Sequence, residues 1–167
     1  MIPPDTPTAD ICDVFAARFT EGTLFTLPPV FPLRLGKPLS MHGPVVTVRA
    51  YEDNALVRQA LEGGGDGHIL VVDGDASTRR AMVGGNLGKI AEKNGWKGIV
   101  VYGCVRDTAE LDECNIVIRA MASCPRATIK ANTGEIGVSV EIGDVPISPG
   151  YWIYEDRDGI IVSASEL

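Results

Sequence analysis

Two short apolar runs, His68-Ile-Leu-Val-Val-Asp73 and Gly98-Ile-Val-Val-Tyr-Gly103, constrain the fold more than any other feature. Neither alternates polar with apolar, so each reads as a strand buried on both faces of a sheet. Between them, residues 86–94 carry Leu87, Ile90 and Ala91 at helical spacing, with Asn86 as the expected N-cap and Gly95 as the stop. Strand, helix and strand at these lengths make a parallel, right-handed crossover. Both strands then end on the same side of the sheet. The helix runs back between them and brings its N-terminus, at 84–87, to that side too.

The rest of the chain is expected to build around this unit. Thr8 is placed to cap a helix over about 9–19, with Ile11, Val14, Phe15 and Phe19 at helical spacing, and residues 1–7 read as a flexible tail. Residues 20–43 are rich in Pro and Gly, and LPPVFPLRLGKP within them cannot be a helix and allows an edge strand or an irregular rim at best. Residues 44–51 alternate as a half-buried strand, and Glu52-Asp53-Asn54 opens a helix to about 62, with Leu56, Val57, Ala60 and Leu61 inward. A loop over 74–85, a short helix over 107–113, a strand near 115–121 and a polar loop over 122–135 follow. From 136 onward, turn signals every several residues imply antiparallel hairpins. The expectation is one α/β domain of 167 residues, with a central parallel β-α-β unit and a mostly antiparallel C-terminal β portion.

Composition narrows the function. Net charge is −7, and no Lys/Arg cluster supplies the basic face that binding a nucleic-acid backbone requires, so direct nucleic-acid binding is not expected. Cys12, Cys104, Cys114 and Cys124 form no C-x-x-C pair, and neither His42 nor His68 stands at zinc-finger spacing, so free thiols in a reducing compartment are expected. The start lacks the basic and apolar regions of a signal peptide, and no apolar run approaches the roughly 20 residues of a membrane span. Cytoplasm is the expected compartment. Neither glycine run is a nucleotide loop: GGGDG precedes a strand instead of following one, and GGNLGK lacks both the earlier glycine and the Ser/Thr after Lys89.

Open α/β sheets bind ligands beyond the carboxyl ends of their strands. Asp73, Asp75, the turn Gly84-Gly85-Asn86-Leu87, Arg106-Asp107 and Glu110 are all expected there. Free N–H groups at a helix start receive a carboxylate or phosphate, and Arg106 can add a bidentate contact. Asp107 can hold Mg²⁺ or Mn²⁺ in a largely hydrated shell, with Glu110 orienting the waters. Plainer roles stand beside these: a simple Gly-Gly turn, a solvated Arg-Asp pair, a capping Asp107, and turn-forming Asp73 and Asp75.

The spacing Gly85, twenty residues, Arg106-Asp107, two residues, Glu110 resembles the G-x20-R-D-x2-E/D motif of the class II 4-hydroxy-4-methyl-2-oxoglutarate aldolases and their relative, the regulator of ribonuclease activity A. YEDNALVRQAL, HILVVDGDAS, NGWKGIVVYGCVRD and SPGYWIYEDRDGIIV extend the likeness over nearly the whole chain. The resemblance implies an RraA-like α/β/β sandwich, assembled as a ring-shaped homotrimer (pairing to a hexamer left open) with the active site near a subunit interface. It implies a pyruvate-like carboxylate on Gly84, Gly85, Asn86 and Leu87, substrate binding by Arg106, a divalent metal (Mg²⁺ or Mn²⁺) on Asp107, and Glu110 behind it or reached through water. The implied activity is metal-dependent retro-aldol cleavage to pyruvate, with oxaloacetate decarboxylation. The alternative is a non-catalytic regulator that binds a ribonuclease. The ribonuclease regulators lack the aspartate after the arginine, and some aldolases carry an aspartate where Gly85 stands.

Overall fold

The chain, described over residues 1–167 in a computed structural model, begins with α1 (Thr8–Val14), α2 (Ala16–Glu21), β1 (Leu24–Thr26), β2 (Leu33–Leu35) and β3 (Met41–Arg49). Next come α3 (Ala55–Glu62), β4 (Ile69–Asp73), β5 (Ala81–Val83), α4 (Gly85–Lys93) and β6 (Gly98–Val105). The second half holds α5 (Thr108–Asp112), β7 (Val117–Ser123), β8 (Glu135–Ile136), β9 (Val140–Ile142), β10 (Val145–Ile147), β11 (Trp152–Asp156) and β12 (Gly159–Ser163). One mixed sheet runs in the order β1-β12-β11-β3-β4-β6-β7-β2. Its centre, β3-β4-β6-β7, is parallel, and β11 joins β3 antiparallel. β9 and β10 form a separate hairpin. No helix is long and apolar enough to cross a membrane.

Two-sided burial explains the unbroken apolar runs. On β4, Leu70 and Val72 face a core shared with α3 and α4, while Ile69 and Val71 face a second core closed by the β9–β10 hairpin, Leu27 and Phe31. Ile99 and Val101 divide from Val100 in the same way on β6. The result is the expected α/β/β layering, because a strand with covers on both faces has no solvent side for polar residues.

Several local expectations are corrected. The first helix is broken at Phe15, whose backbone leaves helical values, so Val14 is 72% exposed instead of inward. Thr8 is not a cap: its N–H and hydroxyl both donate to the Asp156 carboxylate, at 2.8 and 2.7 Å, tying α1 to β11. α4 starts at Gly85 with Gly84 as N-cap, so Asn86 lies inside the first turn. The loop over 74–85 contains β5, which pairs with β6 at Cys104 and Val105 just beyond the point where β4 stops. Within LPPVFPLRLGKP the strand β2 lies at a sheet edge as expected, while β3, an interior strand, starts at Met41, three residues before the expected start at 44.

Candidate active site

The crossover delivers the carboxyl ends of β5 and β6 and the N-terminus of α4 to one place. Arg106 and Asp107 follow β6, and the Arg106 N–H donates to the Val83 carbonyl (2.9 Å), which locks the turn against the end of β5. Asp107 has φ +54°, in the left-handed region that aspartate tolerates better than most residues. That turn points its carboxylate back at α4, and Oδ2 accepts the Gly85 N–H at 2.9 Å. Asp107 does not cap α5 with its side chain; it takes one of the unpaired donors of α4 instead.

A cavity of about 110 Å³ opens beside this contact. Gly84, Asn86 and Leu87 from the start of α4 line it with Arg106 and Asp107. Asn86 and Leu87 lie in the first turn, where N–H groups have no intrahelical acceptor. Gly85 and Glu110 stand behind the wall: Gly85 acts through its bond to Asp107, and Glu110 pairs with Lys89 at 3.2 Å. Asp73 and Asp75 are absent from the lining. Their carboxylates belong to a turn in which Asp73 Oδ1 accepts the Asp75 N–H (3.0 Å), and burial holds the Asp73 carboxyl above its ordinary range.

Four polar lining residues were not singled out from sequence. Asn54 and Arg58 project from the start of α3, four residues apart and so on one face. That signal was available, because a strand over 44–51 parallel to its neighbour brings the following helix start to the same side. Thr128 and Lys130 come from the segment 124–134, a strap that crosses the strand ends without regular structure. The strap is pinned by Ala81 N–H to Arg126 O (2.8 Å), Arg80 to Ala127 O (2.9 Å), Ile129 N–H to Glu52 O (3.2 Å) and Arg106 to Pro125 O (3.4 Å). Asp53, fully buried, accepts the N–H groups of Ala55, Ala131 and Thr133 and the Thr133 hydroxyl. Burial opposes ionisation of Asp53, but these donors outweigh it and hold its carboxyl below the ordinary range.

Arg58, Arg106 and Lys130 therefore face a single carboxylate, Asp107, around the cavity of an otherwise acidic protein. Such a site attracts a small anion. No group of three His, Cys, Asp or Glu residues converges anywhere. The donor set fits a hard divalent cation that keeps water and takes substrate oxygens, with Asp107 as its one direct carboxylate, and does not fit a zinc cage.

Fold and site together define a mixed α/β protein with a cavity at the carboxyl ends of its parallel strands, lined by Arg58, Arg106 and Lys130. The chain matches the family model described as RraA-like, Aldolase/RraA, over residues 8–162, and it belongs to that family. It is 52% identical over 160 residues to a provisionally named 4-hydroxy-4-methyl-2-oxoglutarate aldolase of Cupriavidus necator, covering 96% of each chain. A protein of the same provisional name from Paraburkholderia phymatum is 51% identical over 160 residues, covering 96% of this chain and 97% of that one. Among solved structures, the RNA-processing inhibitor RraA of "Thermus thermophilis" superposes with a TM-score of 0.90 at 38% identity, over 98% of this chain and 95% of the other. A structure described as an S-adenosylmethionine:2-dimethylmenaquinone methyltransferase of Geobacillus kaustophilus gives 0.91 at 38% identity, over 97% of both.

Proposed function

We propose that this member of the aldolase/RraA family is a divalent-metal-dependent pyruvate aldolase, cleaving 4-hydroxy-4-methyl-2-oxoglutarate-type substrates and decarboxylating oxaloacetate. The observation that carries the reading is Arg106 beside Asp107 on one cavity, with one Asp107 oxygen held by Gly85 and the other left for the cavity. The names of the relatives at 52% identity support the lyase chemistry.

In this reading the free N–H groups of Asn86 and Leu87 and the Arg106 guanidinium receive the substrate carboxylate. The C4 hydroxyl gives its proton to water in the cavity and becomes the new carbonyl as the C3–C4 bond breaks. That bond's pair forms the C2=C3 bond of the enolate, and the keto π pair moves onto the oxygen, where Arg106 stabilises the charge. A proton from water on C3 completes pyruvate. Oxaloacetate reaches the same enolate by losing CO₂. A divalent cation held by Asp107, with Glu110 reached through water, would polarise the keto group as a Lewis acid. Lys89 is engaged by Glu110 and is not needed as a Schiff base. Trimer assembly belongs to the proposal. Tyr51, Ile129 and Ile136 are exposed large apolar side chains, Ile129 on the strap with its N–H on the Glu52 carbonyl and Ile136 just after it on β8, and they are candidates for burial between subunits.

The test is pyruvate release from oxaloacetate or 4-hydroxy-4-methyl-2-oxoglutarate with Mg²⁺ or Mn²⁺. EDTA should abolish it, and Asp107→Ala should lose it by about 100-fold or more. Full activity in Asp107→Ala sinks the mechanism. The likeness to an RNA-processing inhibitor favours a second reading, a regulator that docks on a ribonuclease. Capture of ribonuclease by the purified protein, together with no metal-dependent turnover, would establish that one instead.

A further inference from the structure

Glu110 is held by a group that the proposed reaction does not use. Its carboxylate stands outside the cavity lining and pairs with Lys89, Oε2 to Nζ, at 3.2 Å. Two acids converge on one residue here. Asp107 Oδ2 accepts the Gly85 N–H, and Glu110 Oε2 occupies the place that a Cβ of Gly85 would take. Glycine keeps that place open at the start of α4. Lys89, one turn further along the same helix, reaches back into it. The same oxygen therefore lies beside the Asp107 contact and carries the ammonium, so its charge is shared between Lys89 and whatever binds at Asp107.

Magnitudes show that Lys89 holds Glu110 without locking it. The two side chains are 63% and 52% exposed. An ion pair so open to solvent shifts an equilibrium by about fivefold at most. A divalent cation has twice the charge of an ammonium, and its waters donate to a carboxylate. Glu110 has half of its side chain in solvent and several staggered rotamers, so turning from one partner to the other costs little.

We propose that Lys89 is a positioning residue for the metal site: it competes with the cation for Glu110 and so sets how tightly the cation binds. The inference rests on the proposed divalent cation at Asp107 and adds the residue that tunes its affinity.

The test reads metal affinity without turnover. Mn²⁺ alone is titrated into the full chain, and free Mn²⁺ is followed by its electron paramagnetic resonance. The salt is held at about 0.15 M, where exposed charges more than about 8 Å apart are largely screened. Lys89→Gln should bind Mn²⁺ about threefold to fivefold tighter than the native protein, and Lys89→Arg, which keeps the charge, should stay within about twofold of it. Glu110→Gln should bind more weakly by a similar factor. Adding Lys89→Gln to Glu110→Gln should change nothing further, because no carboxylate is left to compete for. Unchanged or weaker binding by Lys89→Gln overturns the proposal. So does an equal gain with and without Glu110, which would make Lys89 a bare repelling charge, or no binding of Mn²⁺ by the native protein. Pyruvate release scores the aldolase reading separately. Turnover with no effect of Lys89 on Mn²⁺ leaves that reading standing, and the coupling of Lys89 to Glu110 without turnover defeats that reading alone.

Discussion

Gly84 and Gly85 are alike in sequence and differ in what a side chain would meet. A Cβ on Gly84 would stand 2.8 Å from Asp107 Oδ2 and 3.3 Å from Arg106 Cγ. Its backbone is extended (φ −129°), so alanine brings no conformational strain there, only displacement of the two site residues. Gly84→Ala should therefore lower pyruvate release by about 100-fold, as small misplacements of reacting groups do, while leaving the urea midpoint nearly unchanged. A parallel loss of stability and activity would contradict this. A Cβ on Gly85 would instead fall on Glu110 Oε2, the far end of a half-exposed side chain. A side chain at 85 would therefore compete with the Glu110 carboxylate for the same space. The motif spacing could not reveal this contact, because spacing carries no information about which carboxylate reaches which helix end.

At the scale of elements, what was legible depended on whether a segment's stability is local. β4, α4 and β6 announced themselves because burial on both faces forces continuous apolar runs, and a covered helix face repeats at 3.6 residues. β5 did not: three residues in a polar loop become a strand only because β6 runs on past the end of β4. The strap over 124–134 was equally silent, since its contacts are mostly backbone groups reaching distant partners. Asp53 is its principal anchor. Asp53→Ala would leave the Ala55, Ala131 and Thr133 amides short of an acceptor and should destabilise the fold by about 2–4 kcal/mol. Asp53→Asn, which keeps one acceptor oxygen, should cost less. Urea unfolding measures the total, and hydrogen exchange should speed up at Ala131 and Thr133 before it does on β4. Uniform acceleration over the whole sheet would show that Asp53 does not act on the strap in particular.

For the molecule as a whole, long-range carboxylate contacts decide how it meets acid. Glu155, nearly fully buried, joins Arg34 and Arg119 across the sheet, pairs 121 and 36 residues apart that no sequence window could connect. Glu52 accepts from Arg79 and Ser77, and these hydrogen bonds, aided by the charges of Arg79 and Arg80, lower its carboxyl from 4.5 to about 2. Asp53 and Asp156 are also lowered: burial raises each, but the donors from Thr133, Ala55 and Ala131 in one case, and Thr8, Asp158 and Gly159 in the other, outweigh it. A carboxyl depressed in the folded state binds its proton more readily when unfolded. Its stabilisation is complete above the unfolded value and drains away as pH falls through the folded one. Asp73, raised by burial, has the opposite sign, so it gives back a part of what the other three lose. The urea midpoint should then hold near neutrality and fall progressively from about pH 4.5 to about pH 2. Glu52→Gln should be less stable than the native chain at neutral pH and lose less on acidification, so the two curves converge near pH 2. Parallel curves over that interval would mean that the Glu52 pairing with Arg79 and Ser77 does not contribute to folding stability.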